Sequence, residues 1–264
     1  MYPEDYVSEL HSLQGRYIHD VGGSAKAGML MTTPVLTYRS TLTGKRNNIR
    51  GSMRKFMAAR AVDPDSCVWE TGEKEWRIYG ADPVYSITDK TFLLVLTGKG
   101  TIKEIQDVLK VVSLMLERNN PSKALYDCTT LRQFVDDNVG HDCNGLVFSY
   151  FRSVHGLART EDKKCWKYRD WERERKSHLD VRELDLVFPS DGGHILIIGR
   201  IWNRTPDSFD CYISEARSPG LGGPQAHRYR VKRKSDKKWE LRFLDRSEKA
   251  REMGLICSSY AVRA

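Results

Sequence analysis

The 264-residue sequence predicts an α+β fold, and three observations carry that expectation. A strong amphipathic stripe runs through Ile102, Ile105, Val108, Leu109, Val112 and Leu116. A second helical run opens at Asp142-Cys143. Five β-prone stretches then follow one another to Leu244. Helices gathered ahead of a series of strands is the order of an α+β protein rather than of alternating βα units.

The elements are justified in chain order. Asn48 is placed to cap a short helix whose Ile49, Met53, Phe56 and Met57 share a face. From Cys67 to Thr97 the pattern changes to short β-prone pieces, Trp76–Tyr79, Val84–Ile87 and Phe92–Leu96, separated by Gly, Asp and Pro. Thr101-Ile102-Lys103-Glu104 reads as a capping box opening the amphipathic helix, which stops before Asn119-Asn120-Pro121. Helical stretches are then expected at Lys123–Asp137 and Cys143–His155, broken by Gly140. Strands are expected at Leu184–Phe188, His194–Trp202, Phe209–Ala216, Tyr229–Lys234 and Lys238–Leu244, the last two joined at Ser235-Asp236-Lys237. The reading divides the chain into an N-terminal α+β region, 1–120, whose role the sequence leaves unassigned, and a part at 121–264 that bears the chemistry.

Composition narrows the function classes. Apolar residues make up 40% and charged residues 30%, as in a soluble globular protein, and the net charge of +8 suits an anionic partner such as nucleic acid, a membrane surface or a cell wall. No run of about 18 apolar residues occurs, and the opening Met1-Tyr2-Pro3-Glu4-Asp5 is acidic where a secretory signal is basic. Neither a membrane span nor ordinary Sec export is expected, so the protein is read as made in the cytoplasm and, if it acts outside, delivered by a specialised route.

The six cysteines are scattered singly, unlike a disulfide framework. No C-x-x-C occurs, and His141, Asp142 and Cys143 with Cys128 and His155 lack metal-ligand spacing, so no metal and no cofactor is expected. Trp166, Tyr168 and Trp171 lie among the charges of Glu161–Asp180. In Arg228–Lys234 the basic residues alternate with Tyr229 and Val231. Both are read as solvated faces, the latter an edge hairpin, so nucleic acid is not the expected partner.

The chemistry gathers around one thiol. Asp142 caps a helix and Cys143 falls in its first turn, where the positive end of the helix dipole favours thiolate, the nucleophilic form. The alternative is a small buried hydrophobe. A cysteine nucleophile needs a base, and His194 stands at the mouth of a strand after Asp191-Gly192-Gly193. A hairpin centred on Asn203-Arg204-Thr205-Pro206 pairs His194 with Glu215, Leu196 with Ile213 and Ile198 with Cys211. Glu215 would then orient His194 and support its imidazolium form. A slip of one residue, as a bulge can produce, presents Ser214 instead.

These residues carry a resemblance. Gly140-His141-Asp142-Cys143-Asn144-Gly145-Leu146-Val147 resembles the Asp-Cys-Ser-Gly-Leu-Val motif that opens the nucleophile helix of the NlpC-type cell-wall peptidases, papain-like cysteine hydrolases. Asp185–Phe188 looks like the strand before the family's histidine, Gly193–Gly199 like its histidine strand, and Tyr212–Ala216 like the next strand. Asn144 stands where the family usually has Ser, and the interval from His194 to Glu215 is longer than usual. The likeness spans about Lys123–Lys234.

It implies a papain-like fold with the nucleophile helix packed on an antiparallel sheet, Cys143 as nucleophile, His194 as base and Glu215 as orienting residue. The implied substrate is a peptidoglycan stem peptide; the missing Sec signal then points to a delivered antibacterial toxin or a lysin, with the N-terminal region open to targeting, packing, or recognition of a delivery or immunity partner. The remaining alternatives are thiol chemistry on another substrate, such as a protein amide, an isopeptide or an acyl group, and a catalytically dead module that binds an anionic polymer.

Overall fold

A computed structural model describes residues 1–16, 30–38, 43–60, 67–70, 75–78, 85–117, 128, 130–158, 174–189, 193–217, 223–235 and 238–259. The chain forms mixed helix and antiparallel sheet, and its contacts group it into two compact units. One joins Met1–Leu10 to His141–Ala264; the other is His11–Gly140. The sequence-based partition runs 1–120 and 121–264. The compact units instead assign the first ten residues to the part holding Cys143, His194 and Glu215, and give the other unit everything up to Gly140.

In the unit His11–Gly140, β1 (Gln14–Arg16) pairs with β2 (Leu30–Thr32). Three short strands, β3 (Cys67–Glu70), β4 (Glu75–Ile78) and β5 (Tyr85–Thr88), make an antiparallel sheet in that order. Helix α2 covers Thr43–Arg60, so Asn48 lies inside it rather than at its cap. Residues 43–48 include Lys45 and Arg46, good helix formers, and local propensity extends the helix past the cap candidate.

Phe92–Leu96 is likewise not a strand but the end of helix α3 (Asp89–Leu96). A short continuous apolar run fits either state, and capping decides it here: the Thr88 hydroxyl accepts from the Thr91 N–H at 3.1 Å. Arg50 of α2 donates to Asp89 at 3.0 Å, tying the start of α3 to its neighbour. Helix α4 (Ile102–Glu117) opens with the capping box, Glu104 N–H to Thr101 Oγ1 at 3.2 Å and Thr101 N–H to Glu104 Oε2 at 2.9 Å. Its apolar stripe is buried as the periodicity predicts. Helix α5 (Leu131–Asn138) has its own capping box at Thr130 and Gln133; the earlier part of the expected Lys123–Asp137 helix lies outside the described residues.

The second unit begins with α1 (Pro3–His11) and α6 (Cys143–His155), the latter with the limits the sequence predicts. Leu146, Val147, Phe148, Tyr150 and Phe151 are all buried, and Gly156, at φ 66°, supplies the left-handed residue that ends the helix. The strands are β6 (Leu186–Phe188), β7 (Leu196–Trp202), β8 (Ser208–Arg217), β9 (Gly223–Ser235), β10 (Lys238–Phe243), β11 (Arg251–Met253) and β12 (Leu255–Cys257).

They form one antiparallel sheet in the order β11-β10-β9-β8-β7-β6-β12. Its two edges, β11 and β12, are consecutive in the chain and separated only by Gly254. The sheet therefore curls until it is nearly closed, because the single run Arg251–Cys257 pairs with β10 at one end and β6 at the other. Closure of this kind leaves little unpaired edge.

The enclosed face is a continuous apolar core that includes Leu196, Ile198, Phe209, Ile213, Val231 and Trp239. Burying each aliphatic side chain of this size contributes about 1.5–3 kcal/mol. Strand β9 is paired on both sides, by β8 and β10, so the basic stretch 228–234 is an interior strand and not an edge hairpin. Its alternation is as expected: Tyr229 and Val231 are buried while Arg228, Arg230 and Lys232 are exposed. Arg230 is held by Asp210 on β8 at 2.8 and 3.0 Å. Of the charged stretch Glu161–Asp180, residues 161–173 lie outside the described residues, as do Asp236 and Lys237 of the turn. No helix among the described residues is long and apolar enough to cross a membrane.

Candidate active site at the start of α6

The Cys143 end of the site is made by a cap. Asp142 takes an extended conformation and its carboxylate accepts from the Gly145 N–H, so the helix starts at Cys143 and presents that residue in its first turn. Cys143 is nearly buried, at 6% exposure. A side chain there sits where the helix dipole favours negative charge.

The His194 end is made by the sheet. His194 lies two residues before β7, at its entrance, and Glu215 lies near the end of the antiparallel neighbour β8. The observed register pairs Ile197 with Ser214, Ile198 with Ile213, Ile201 with Cys211 and Trp202 with Asp210. It is displaced by two residues from the register the sequence suggests, which joined Leu196 to Ile213 and Ile198 to Cys211.

Two local features cause the shift. The turn is centred later, with Thr205 N–H donating to Ser208 O at 2.8 Å, and a bulge between Ile198 and Ile201 takes up the difference. A displacement by two keeps side chains on the same face, so Glu215 still shares a face with His194, now diagonally. The His194 Nε2 and Glu215 Oε2 atoms are 3.1 Å apart. Ser214, the alternative, points to the other face of the sheet.

The structure thus brings together all three residues that the sequence singles out. Burial pushes the proton affinity of His194 down, but hydrogen bonds to Cys143 and Glu215 and the negative charge on both overcome it, raising the pKa to about 9. With Nε2 engaged by Glu215, Nδ1 is the ring nitrogen left for the sulfur. Burial pushes Glu215 up, whereas the His194 hydrogen bond and the adjacent Arg251 guanidinium hold it down, to about 2. The arrangement is a nearly buried thiol, a polarised imidazole and an ionised carboxylate in series, the order needed to activate a nucleophile and later return its proton.

Two other described thiols have a different setting. Burial raises Cys128 to about 11, and it raises Cys211, inside the sheet, well above the ordinary value. Among the described residues no group of three or more His, Cys, Asp or Glu side chains is placed to hold a metal ion. Cys143 and His155 stand at opposite ends of α6, about 18 Å apart along its axis.

Sequence reasoning misses two residues at the site. Arg251 Nη1 donates to Glu215 Oε1 at 2.7 Å, and the Tyr229 hydroxyl donates to the same oxygen at 3.1 Å. Tyr229 is legible only as a core residue by alternation. Arg251 belongs to a three-residue strand that carries no periodic signal of its own.

No family model, no curated protein and no solved structure matches this chain.

Proposed function

We propose that the protein is a cysteine hydrolase of the papain-like, NlpC type that cleaves amide bonds in peptidoglycan stem peptides. The observation that carries the reading is the assembly of Cys143, His194 and Glu215 from a helix start and two neighbouring strands, with the imidazole between thiol and carboxylate. The Asp-Cys-x-Gly-Leu-Val run at the head of that helix and the resemblance described above supply the substrate class.

In this mechanism the Cys143 thiolate attacks the carbonyl carbon of the scissile amide, and the oxyanion forms beside the helix start, where backbone N–H groups point outward. The His194 imidazolium gives its proton to the leaving amine, the C–N bond breaks and an acyl thioester remains. Neutral His194 then takes a proton from water, which attacks the thioester and restores the thiol. Glu215 orients the ring and supports its charged form throughout.

Incubation of the protein and of Cys143→Ala with muropeptides, followed by mass spectrometry, tests the reading. Amine and acid products from the parent protein and none from the variant are expected. Equal activity of the two, or no cleavage under reducing conditions across several wall chemotypes, would sink it.

A further inference from the structure

Glu215 is an enclosed carboxylate, 1% exposed, whose two oxygens have separate duties. Oε2 faces His194 Nε2, while Oε1 takes Arg251 Nη1 at 2.7 Å and the Tyr229 hydroxyl at 3.1 Å. Arg251 Nη1 also lies 3.4 Å from the Tyr229 oxygen, which closes a three-membered polar cluster at the edge of an otherwise apolar interior. Tyr229 is fixed in turn: it is fully buried, and its ring centroid is 4.3 Å from that of Phe243.

A glutamate reaches its partner through one more rotatable bond than an aspartate. Without donors on Oε1 the carboxylate has several ways to lie, of which only some address the imidazole. Arg251 arrives on β11 and Tyr229 on β9, so two strands beyond the β7–β8 pair determine which way Glu215 faces.

We propose that Arg251, seated by Tyr229, is a positioning residue for His194: it fixes the Glu215 carboxylate with Oε2 towards the ring and shares its charge, limiting how tightly the imidazolium is held. The inference rests on the cysteine-hydrolase reading of this site. The charged and titratable groups that bear on the pair are Cys143 from α6, Arg217 from β8, whose Nε is 3.9 Å from Oε1, Tyr229 from β9 and Arg251 from β11. Removing Arg251 takes away a nearby cation and leaves the carboxylate charge to His194. Both effects push the histidine's proton affinity up, and they outweigh the hydrogen bonding lost when the carboxylate turns, because its charge stays enclosed beside the ring. Removing the charge of Glu215 pushes it down, so the two changes have opposite signs, which generalised loosening of the fold would not produce.

The experiment compares full-length Arg251→Met, Arg251→Lys, Tyr229→Phe and Glu215→Gln. The readouts are the ring titration of His194 by NMR with labelled histidine, assigned by its loss in His194→Gln, and kcat and KM on muropeptides. Expected for Arg251→Met is an upward shift of about half a unit or more, with kcat down about tenfold or more and KM little changed. Arg251→Lys is expected to stay near the parent, Tyr229→Phe to shift upward by less, and Glu215→Gln to shift downward. An unmoved or lowered His194 titration in folded Arg251→Met overturns the proposal. If that variant does not fold, an unmoved titration in Tyr229→Phe overturns it. The titration needs no substrate, so a protein that shows these shifts but cleaves no muropeptide sinks the wall-hydrolase reading and leaves the positioning of His194 standing.

Discussion

Gly199 gives Glu4 its place: a Cβ on residue 199 would collide with the Glu4 carboxylate at Oε2. The other oxygen, Oε1, accepts from Arg200 Nε at 2.7 Å and from the Arg200 backbone N–H at 3.3 Å, and Arg200 Nη2 reaches Asp5 at 3.0 Å. The acidic first turn of α1 thus holds the bulge in β7, and that bulge fixes the alignment of β7 with β8 on which the approach of His194 to Glu215 depends. Acidic residues are also favourable at a helix N-terminus, so the contact stabilises both partners.

Gly199→Ala is therefore expected to destabilise the protein by about 1–3 kcal/mol through overpacking. Glu4→Ala loses the anchor to Arg200 but clears the space, so in the double variant the two losses combine to less than their sum. Urea denaturation of the two single variants and the double variant measures this. Simple additivity would show that the alanine methyl group meets no resistance from Glu4.

His194, raised first by Cys143 and then by Glu215, and Glu215 itself together set a pH window. Glu215 is depressed from 4.5 to about 2, so its contribution to stability is complete above 4.5 and is lost as pH falls through about 2. His194 is raised from 6.5 to about 9, so its contribution is complete below 6.5 and is lost as pH rises through about 9. Both contributions are whole only between 4.5 and 6.5. Denaturation midpoints across pH should reach their plateau there, and Glu215→Gln should weaken the loss on the acid side. On the proposed activity, the basic limb of hydrolysis should lie near pH 9, where the proton donor is lost, and should move down in Glu215→Gln. A basic limb that does not respond to this substitution would separate the carboxylate from the working histidine.

Helix α6 was legible in the sequence because its signals are local: an Asp cap followed at once by an apolar run. The α4 capping box was legible for the same reason. What escaped depended on distant chain. Phe92–Leu96 reads as a strand until the Thr88 cap and the Arg50–Asp89 contact are known. Pairing in β7–β8 could be estimated only for a regular hairpin, whereas the bulge answers to Glu4, nearly two hundred residues upstream. Parity survived the shift because strand side chains alternate with period two, which is why Glu215 could be found from a register that was off by two. Arg251 was invisible, since three residues of strand carry no pattern.

The Asp142 cap links stability to reactivity. Asp142→Ala removes the acceptor for the Gly145 N–H and is expected to cost about 0.5–2 kcal/mol, whereas Asp142→Asn keeps a capping oxygen and should cost less. Fraying of the first turn would also move Cys143 away from His194. Iodoacetamide alkylation of Cys143, followed by peptide mass spectrometry, should therefore slow in Asp142→Ala more than in Asp142→Asn. Reaction at Cys128 and Cys211, whose thiols burial holds protonated, should remain slow in all three proteins. Unchanged Cys143 alkylation in Asp142→Ala would show that the cap does not govern the thiol.

Ser214 and Glu215 are adjacent in sequence and opposite in consequence. Ser214 is 1% exposed, pairs with Ile197, and its hydroxyl has no hydrogen-bond partner. Replacing it with Ala removes a buried, unsatisfied polar group at the cost of little volume, so Ser214→Ala should be neutral or slightly stabilising and should leave hydrolysis unchanged. Glu215→Ala removes the partner of His194 and leaves the partly exposed Arg251 without its carboxylate. It is expected to lower both stability and kcat, the former by about 1–3 kcal/mol. Paired denaturation and rate measurements on the two variants decide the matter, because a one-residue slip of β8 would exchange their phenotypes. A larger loss of activity from the serine substitution would mean that the working register of β7 and β8 differs from the one described.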